Sequence, residues 1–82
     1  MESHDHAEQA RLELGLSVEA LWLAYVALGG AATLTQLGHY LSDGGEFTRM
    51  QHDYVAQALN DHYIDLGRNH LVPYSEAFKE IL

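Results

Sequence analysis

The sequence predicts an all-α protein that folds as a single small domain. Apolar residues recur at spacings of three and four over most of the chain, whereas alternation of period two is never sustained beyond about four residues. A chain of 82 residues has room for one core, because so short a chain buries only about 60% of its unfolded surface. We expect three main helices, about 17–28, 34–42 and 48–66, with short N- and C-terminal helices, in an orthogonal or tri-helical bundle.

The N-terminal part of the chain predicts a mobile tail over residues 1–6 and a short helix over residues 7–14. Gly15 follows this helix at the position where a left-handed cap commonly ends one. Ser17 is then a good N-cap for the next helix, in which apolar residues cover every side. We therefore expect this second helix to be central, surrounded by other helices or by a second chain.

The next two helices are predicted by their first turns. Thr33 with Gln36, and Thr48 with Gln51, both have the spacing of a capping box. The longer helix has an apolar stripe that consists of Val55, Ala58, Leu59, His62 and Leu66, and its opposite, solvated face carries Arg49, Asp53, Gln57, Asn60 and Asp61. After Pro73, Ser75 can cap a last short helix that runs to Leu82.

Composition excludes several classes of function. A formal net charge of −8 and four scattered basic residues disfavour direct binding to nucleic acid or to anionic lipid. The longest apolar stretch, residues 20–28, is far shorter than the ~20 residues that span a bilayer, and the polar N-terminus does not resemble a secretory signal. Because the chain has no cysteine, we expect a cytoplasmic protein without disulfides.

The sequence favours neither catalysis nor a cofactor. No serine lies in a Gly-x-Ser-x-Gly elbow, and the six histidines do not have the i, i+4 spacing of a metal site, so we expect no enzyme activity, no cofactor and no metal ligands. His62 lies on an otherwise apolar stripe, which makes it a candidate pH-responsive residue, although a hydrogen bond to a backbone carbonyl is the simpler interpretation. A histidine-dependent metal-binding or pH-sensing protein stays an alternative.

Aromatic and acidic residues together predict a surface that binds a protein, because aromatic side chains anchor interfaces and an acidic rim steers basic partners. The candidate contact residues are Tyr54, Tyr63, Tyr74, Phe78, Asp53 and Asp61. The leading hypothesis is a protein-interaction or regulatory adaptor module with a more basic partner. The alternatives are a homodimer that covers the second helix, and a DNA mimic in which Asp53, Asp61 and Asp65 imitate phosphates.

Residues 21–30 (LWLAYVALGG), the threonine-capped helix that follows, and residues 56–60 (AQALN) resemble short helical proteins of high-GC actinobacteria. The resemblance covers residue 17 to about residue 74. It implies a helical fold and no particular activity, cofactor or site residue.

Overall fold

The computed structural model describes residues 3–44, 47–67 and 72. In that part of the chain the protein forms four α-helices and no β-strand, so the predicted all-α class is confirmed. The helices are α1 (Ser3–Leu14), α2 (Val18–Ala27), α3 (Leu34–Asp43) and α4 (Arg49–Asp65). Both α1 and α2 pack against α3 and α4. None of these helices combines the length and the apolar character that crossing a bilayer requires.

Helix α1 is a full member of the bundle and not a short appendage. It begins at Ser3, so residues 3–6, which the sequence assigned to a tail, are helical. Ala7 and Ala10 are both buried, and their small side chains allow the α1 backbone to lie close to α3 and α4. Arg11 holds the end of the helix by a bidentate ion pair with Glu8 and a 2.8 Å hydrogen bond to the carbonyl of Leu16.

All four predicted caps are present, although one of the two capping boxes lacks its second hydrogen bond. Ser17 accepts a hydrogen bond from the amide of Ala20, and Thr33 with Gln36 forms a complete capping box. Gly15 has a φ of +70°, as the left-handed end of α1 requires. The fourth case is different, because Thr48 accepts from the amide of Gln51 but the Gln51 side chain turns away into the core.

The central helix is α4 and not α2, contrary to the prediction. Only Leu21 and Tyr25 of α2 are buried, whereas Leu23 is 57% exposed and Val26 is 40% exposed. Helix α4 instead has eight buried residues, so its contact with the rest of the bundle is wider than a single stripe. An all-apolar helix of 10 residues can therefore lie at the edge of this small bundle, because there are too few other helices to surround it.

This broad contact also corrects the two faces predicted for α4. Asp53 and Asn60, which we placed on the solvated side, are 6% and 3% exposed, and Tyr63 is buried at 2%. Leu66, which we placed on the apolar stripe, is 59% exposed. The buried set begins one turn earlier than predicted and ends at Tyr63, where the contact with α1 ends the core.

The link between α2 and α3 is fixed by two aromatic side chains. Trp22 Nε1 donates a 2.9 Å hydrogen bond to the carbonyl of Ala32, and the amide of Ala32 donates to the hydroxyl of Tyr25. Gly30 lies directly against the Tyr25 ring, so closely that a Cβ atom there would overlap the ring. These contacts hold the start of α3 in place beside the start of α4.

Val72, the one residue beyond Gly67 that the structure describes, is bonded to α4. Val72 is 4% exposed, and its backbone carbonyl and amide both hydrogen-bond to the side chain of Asn60. The Asn60 side chain thus pairs with both backbone polar groups of Val72, as another peptide group would. This pairing explains why Asn60 is buried, because buried polar groups are usually hydrogen-bonded. The predicted C-terminal helix, with Tyr74 and Phe78, lies outside the described residues.

Candidate functional site

A polar network lies at the N-terminal end of α4, where two consecutive residues reach two buried tyrosines. The side-chain carbonyl of Gln51 accepts a hydrogen bond from the hydroxyl of Tyr25. The Nδ1 atom of His52 shares a hydrogen bond with the hydroxyl of Tyr40. Tyr25 lies on α2 and Tyr40 on α3, so the first turn of α4 joins three helices through polar contacts.

Phe47, which immediately precedes α4, packs its ring beside these tyrosines. It stacks on Tyr40 with ring centroids 4.3 Å apart and planes 11° apart, and its centroid lies 6.1 Å from that of Tyr25. Tyr54 meets Tyr25 edge to face at 6.4 Å. Such aromatic pairs contribute about 0.5–1.5 kcal/mol beyond their buried area, so this cluster makes the site rigid.

Burial raises the pKa of the Tyr40 phenol above its ordinary value, and the nearby Asp53 carboxylate raises this pKa further. Both effects oppose formation of a phenolate, because the anion would lose its hydration and would face a like charge. Tyr40 is therefore held as a neutral hydroxyl, the form that can hydrogen-bond to His52.

A cleft of about 190 Å³ opens above this network. Ala32, Gln36, His39, Phe47 and Gln51 line it. Gln36 and His39 are exposed on α3, and Phe47 supplies a half-buried apolar wall. The cleft thus combines two amide side chains, one imidazole and one aromatic ring.

The four predicted protein-contact residues that the structure describes do not share one exposed surface. Tyr63 is buried and its hydroxyl donates a 3.2 Å hydrogen bond to Glu13, so it joins α4 to α1 and is not a contact residue. Asp53 is buried beside Tyr40. Tyr54 is half-buried against the core, and Asp61 alone of the four described candidates is exposed. The proposed DNA-mimic row therefore loses Asp53.

An exposed patch that the sequence did not single out lies at the C-terminal end of α4. Ile64 is 64% exposed, and Asp61 and Asp65 are exposed as well. Residues 61, 64 and 65 share one face of the helix, because positions three and four apart are neighbours there. We call Asp61, Ile64 and Asp65 the acidic-apolar patch.

The hydrogen bond to a backbone carbonyl that the sequence predicts for His62 is present, and its pH response stays a prediction. His62 is half-buried, and its Nδ1 atom donates a 2.9 Å hydrogen bond to the carbonyl of Ala58 one turn earlier. The histidine that enters the buried polar network is His52, which is 7% exposed. Extending the apolar stripe of α4 one turn toward its N-terminus would have placed His52 on the buried side.

Gln51 and Phe47 were also missed from the sequence. Gln51 fits a capping box, which accounts for its side chain locally, and Phe47 follows two glycines and an acidic residue in an apparent loop. Both positions depend on Tyr25, which is distant in the sequence. Its hydroxyl draws the Gln51 side chain away from the capping box, and its ring packs against Phe47.

Within the described part of the chain, no group of three or more histidine or carboxylate side chains is placed to hold a metal ion. In comparisons with known proteins, no protein-family model, no curated protein and no solved structure matches this chain. The resemblance to actinobacterial helical proteins therefore stays a prediction. The features of the structure that bear on function are the cleft beside Phe47 and the acidic-apolar patch.

Proposed function

We propose that this protein is a regulatory adaptor that binds a basic protein partner through the acidic-apolar patch of α4. The observation that carries the proposal is the placement of Ile64, which is 64% exposed, on the same face of α4 as the exposed Asp61 and Asp65. Apolar side chains supply binding energy when a partner covers them, and adjacent carboxylates select a partner that carries Lys or Arg around an apolar pocket.

Net charge favours a different protein over a second copy of this chain at the patch. The chain carries a formal charge of −8, so two copies repel, and at the patch the carboxylates of Asp61 and Asp65 would face each other. A basic partner is instead attracted over a distance of about 8–10 Å at physiological salt, which raises its association rate. The proposal is one of binding, with no catalytic residue, in a reducing compartment such as the cytoplasm.

The test compares capture by the wild-type protein with capture by variants of the patch. Ile64→Ser removes the apolar anchor, and Asp61→Lys with Asp65→Lys reverses the rim. Leu12→Ser is the matched control, because Leu12 is also 62% exposed but lies on α1. Each immobilised protein is incubated with lysate of the source organism, and a retained partner is then purified and its Kd is measured at low and high salt.

The proposal requires a basic partner that the wild type and Leu12→Ser retain, that both patch variants lose, and whose affinity falls as salt rises. Thermal melts of every variant show that loss of binding is not loss of folding. A partner bound equally by the wild type and the patch variants would overturn the proposal, as would recovery of the bait alone.

A second candidate, self-association, is favoured by the exposed face of α2. Ala20, Leu23, Val26 and Ala27 are all exposed, and Glu19 is the one charged residue of this helix. This face could meet its copy with less repulsion than any acidic face. Sedimentation equilibrium over micromolar concentrations tests it, since a dimer through α2 must dissociate in Leu23→Glu and persist in Ile64→Ser.

A further inference from the structure

The cleft beside Phe47 presents hydrogen-bond donors, because the protein itself occupies the acceptor atom of each glutamine. The Oε1 atom of Gln36 accepts a 2.8 Å hydrogen bond from the amide of Thr33, which completes the capping box. An amide N–H can only donate, so this contact fixes which end of the Gln36 side chain faces Thr33. Its Nε2 group is therefore the end left for the cleft.

The orientation of Gln51 follows from its contact with Tyr25. The hydroxyl of Tyr25 accepts from the amide of Ala32 at 2.9 Å and donates its own proton to Oε1 of Gln51. The Nε2 group of Gln51 is then left as a donor. Within residues 3–44, 47–67 and 72, neither Nε2 group makes a hydrogen bond to another residue.

The other walls complete a small binding site. Phe47 provides an apolar face that is held in place by its stack on Tyr40. The imidazole of His39, on the exposed side of α3, can add a third donor at the rim. The volume of about 190 Å³ corresponds to roughly six waters at about 30 Å³ each, which suits a ligand the size of a substituted single ring.

We infer that this cleft binds a small carboxylate with a flat apolar body, whose oxygens accept from Nε2 of Gln36 and Nε2 of Gln51 while its body lies against Phe47. A carboxylate is an acceptor-only group that can engage two donors at once, and hydrogen bonds to a charged acceptor are stronger than those to a neutral one. Among the residues that the structure describes, no carboxylate lines the cleft. The site is separate from the acidic-apolar patch of α4, and it stands whether or not that patch binds a protein.

Benzoate is the probe for this site, and benzylammonium is the matched probe of opposite charge. Binding is followed by NMR through the side-chain amide signals of Gln36 and Gln51 and the ring signals of His39 and Phe47. The net charge of −8 attracts the cation over the whole surface, so a preference of these signals for benzoate reports the local donors. We expect saturable shifts of these signals with benzoate and none with benzylammonium.

Two substitutions change the chemistry of the cleft while keeping the contacts of the fold. In Gln36→Glu and Gln51→Glu, a carboxylate oxygen still accepts from Thr33 or from Tyr25, but the outward donor becomes an acceptor with a negative charge. Each variant should weaken benzoate binding about tenfold or more, because a charged hydrogen bond is replaced by repulsion. Gln57→Glu makes the same change on α4 outside the cleft and should bind benzoate as the wild type does.

Thermal melts of the three variants confirm that each is folded before its affinity is compared. The inference is overturned if benzoate leaves the cleft signals unmoved at millimolar concentration. It is also overturned if benzylammonium shifts them as strongly, or if both cleft variants bind benzoate with the affinity of Gln57→Glu.

Discussion

At the scale of single residues, two glycines of this chain should respond in opposite ways to the same substitution. In Gly30→Ala the new methyl group would overlap the Tyr25 ring, which is fully buried and is held at its hydroxyl from two sides. Overpacking of this kind typically costs about 1–3 kcal/mol. Gly38→Ala instead adds a methyl group into open space within α3, and it should stabilise the protein by about 0.5–1 kcal/mol.

Urea denaturation of both variants and the wild type measures these two changes in the free energy of unfolding. Both variants make the same substitution, glycine to alanine. A difference in their free energies of unfolding therefore reports the surroundings of each glycine. A Gly30→Ala protein as stable as the wild type would show that the Tyr25 ring can move, and the fixed link between α2 and α3 would then be wrong.

Tyr40 should make the protein less stable at alkaline pH. Its folded-state pKa is raised by burial and by Asp53, so the unfolded state loses the phenolic proton first, near pH ~10. The stabilisation is therefore complete below pH ~10 and is lost as pH rises toward the folded-state pKa, by up to about 1.4 kcal/mol per pH unit.

The measurement is a series of urea denaturation curves between pH ~8 and ~11 for the wild type, Tyr40→Phe and Tyr54→Phe. Tyr40→Phe should be less stable at neutral pH by about 1–3 kcal/mol, because its hydrogen bond to His52 is lost. It should also lose stability less steeply above pH ~10 than the wild type and Tyr54→Phe do. Parallel curves for all three proteins would contradict this account of Tyr40.

At the scale of helices, the start of α3 should depend on its capping box. Thr33→Ala removes the acceptor for the Gln36 amide, and it should cost about 1 kcal/mol. Thr35→Ala, two residues later on the exposed side of the same first turn, is the matched control and should change stability little. Thermal melts monitored by circular dichroism measure both, and equal losses would show that the cap contributes nothing beyond helix propensity.

The capping residues also show which features of the fold the sequence determines locally. Ser17, Thr33 and Gly15 act through contacts within three or four residues, so the helix limits were predicted to within about one residue for α2, α3 and α4. Gln51 has the same local signal as Gln36, yet its side chain bonds to Tyr25, 26 residues away. Whether the Gln51 side chain completes the capping box or bonds to Tyr25 depends on how α2 packs against α4. Residues close to Gln51 in the sequence do not determine that packing.

The predictions that α2 is buried and that one face of α4 is solvated were wrong for the same reason. Hydrophobicity ranks α2 as the most apolar helix, but which side chains become buried depends on how the helices pack, and composition does not determine that packing. Asp53 and Asn60 become buried because partners in the fold receive them: Val72 pairs with Asn60. The donor-lined cleft could be predicted only in part, through the outward position of Gln36 and His39 on α3.

For the molecule as a whole, we expect repulsion between the negative net charges of two copies of the chain to oppose their association. Six histidines, each gaining one positive charge, would take the formal net charge from −8 to −2 as pH falls. A histidine side chain in a model peptide has a pKa near ~6.5, so the interval from pH ~7.5 to ~5.5 is the one in which to look for the effect. The exposed apolar face of α2 is then opposed by less repulsion, and we expect the average mass in solution to rise.

Sedimentation velocity at constant ionic strength tests this expectation across that pH interval. Added salt near neutral pH should have the same direction of effect, because salt screens the same repulsion without protonating any side chain. Leu23→Glu should suppress both increases, since it adds a charge to the α2 face that the two copies would share, whereas Leu12→Ser on α1 should suppress neither. If acid raises the mass and salt does not, protonation of a particular histidine, and not net charge, would be the cause.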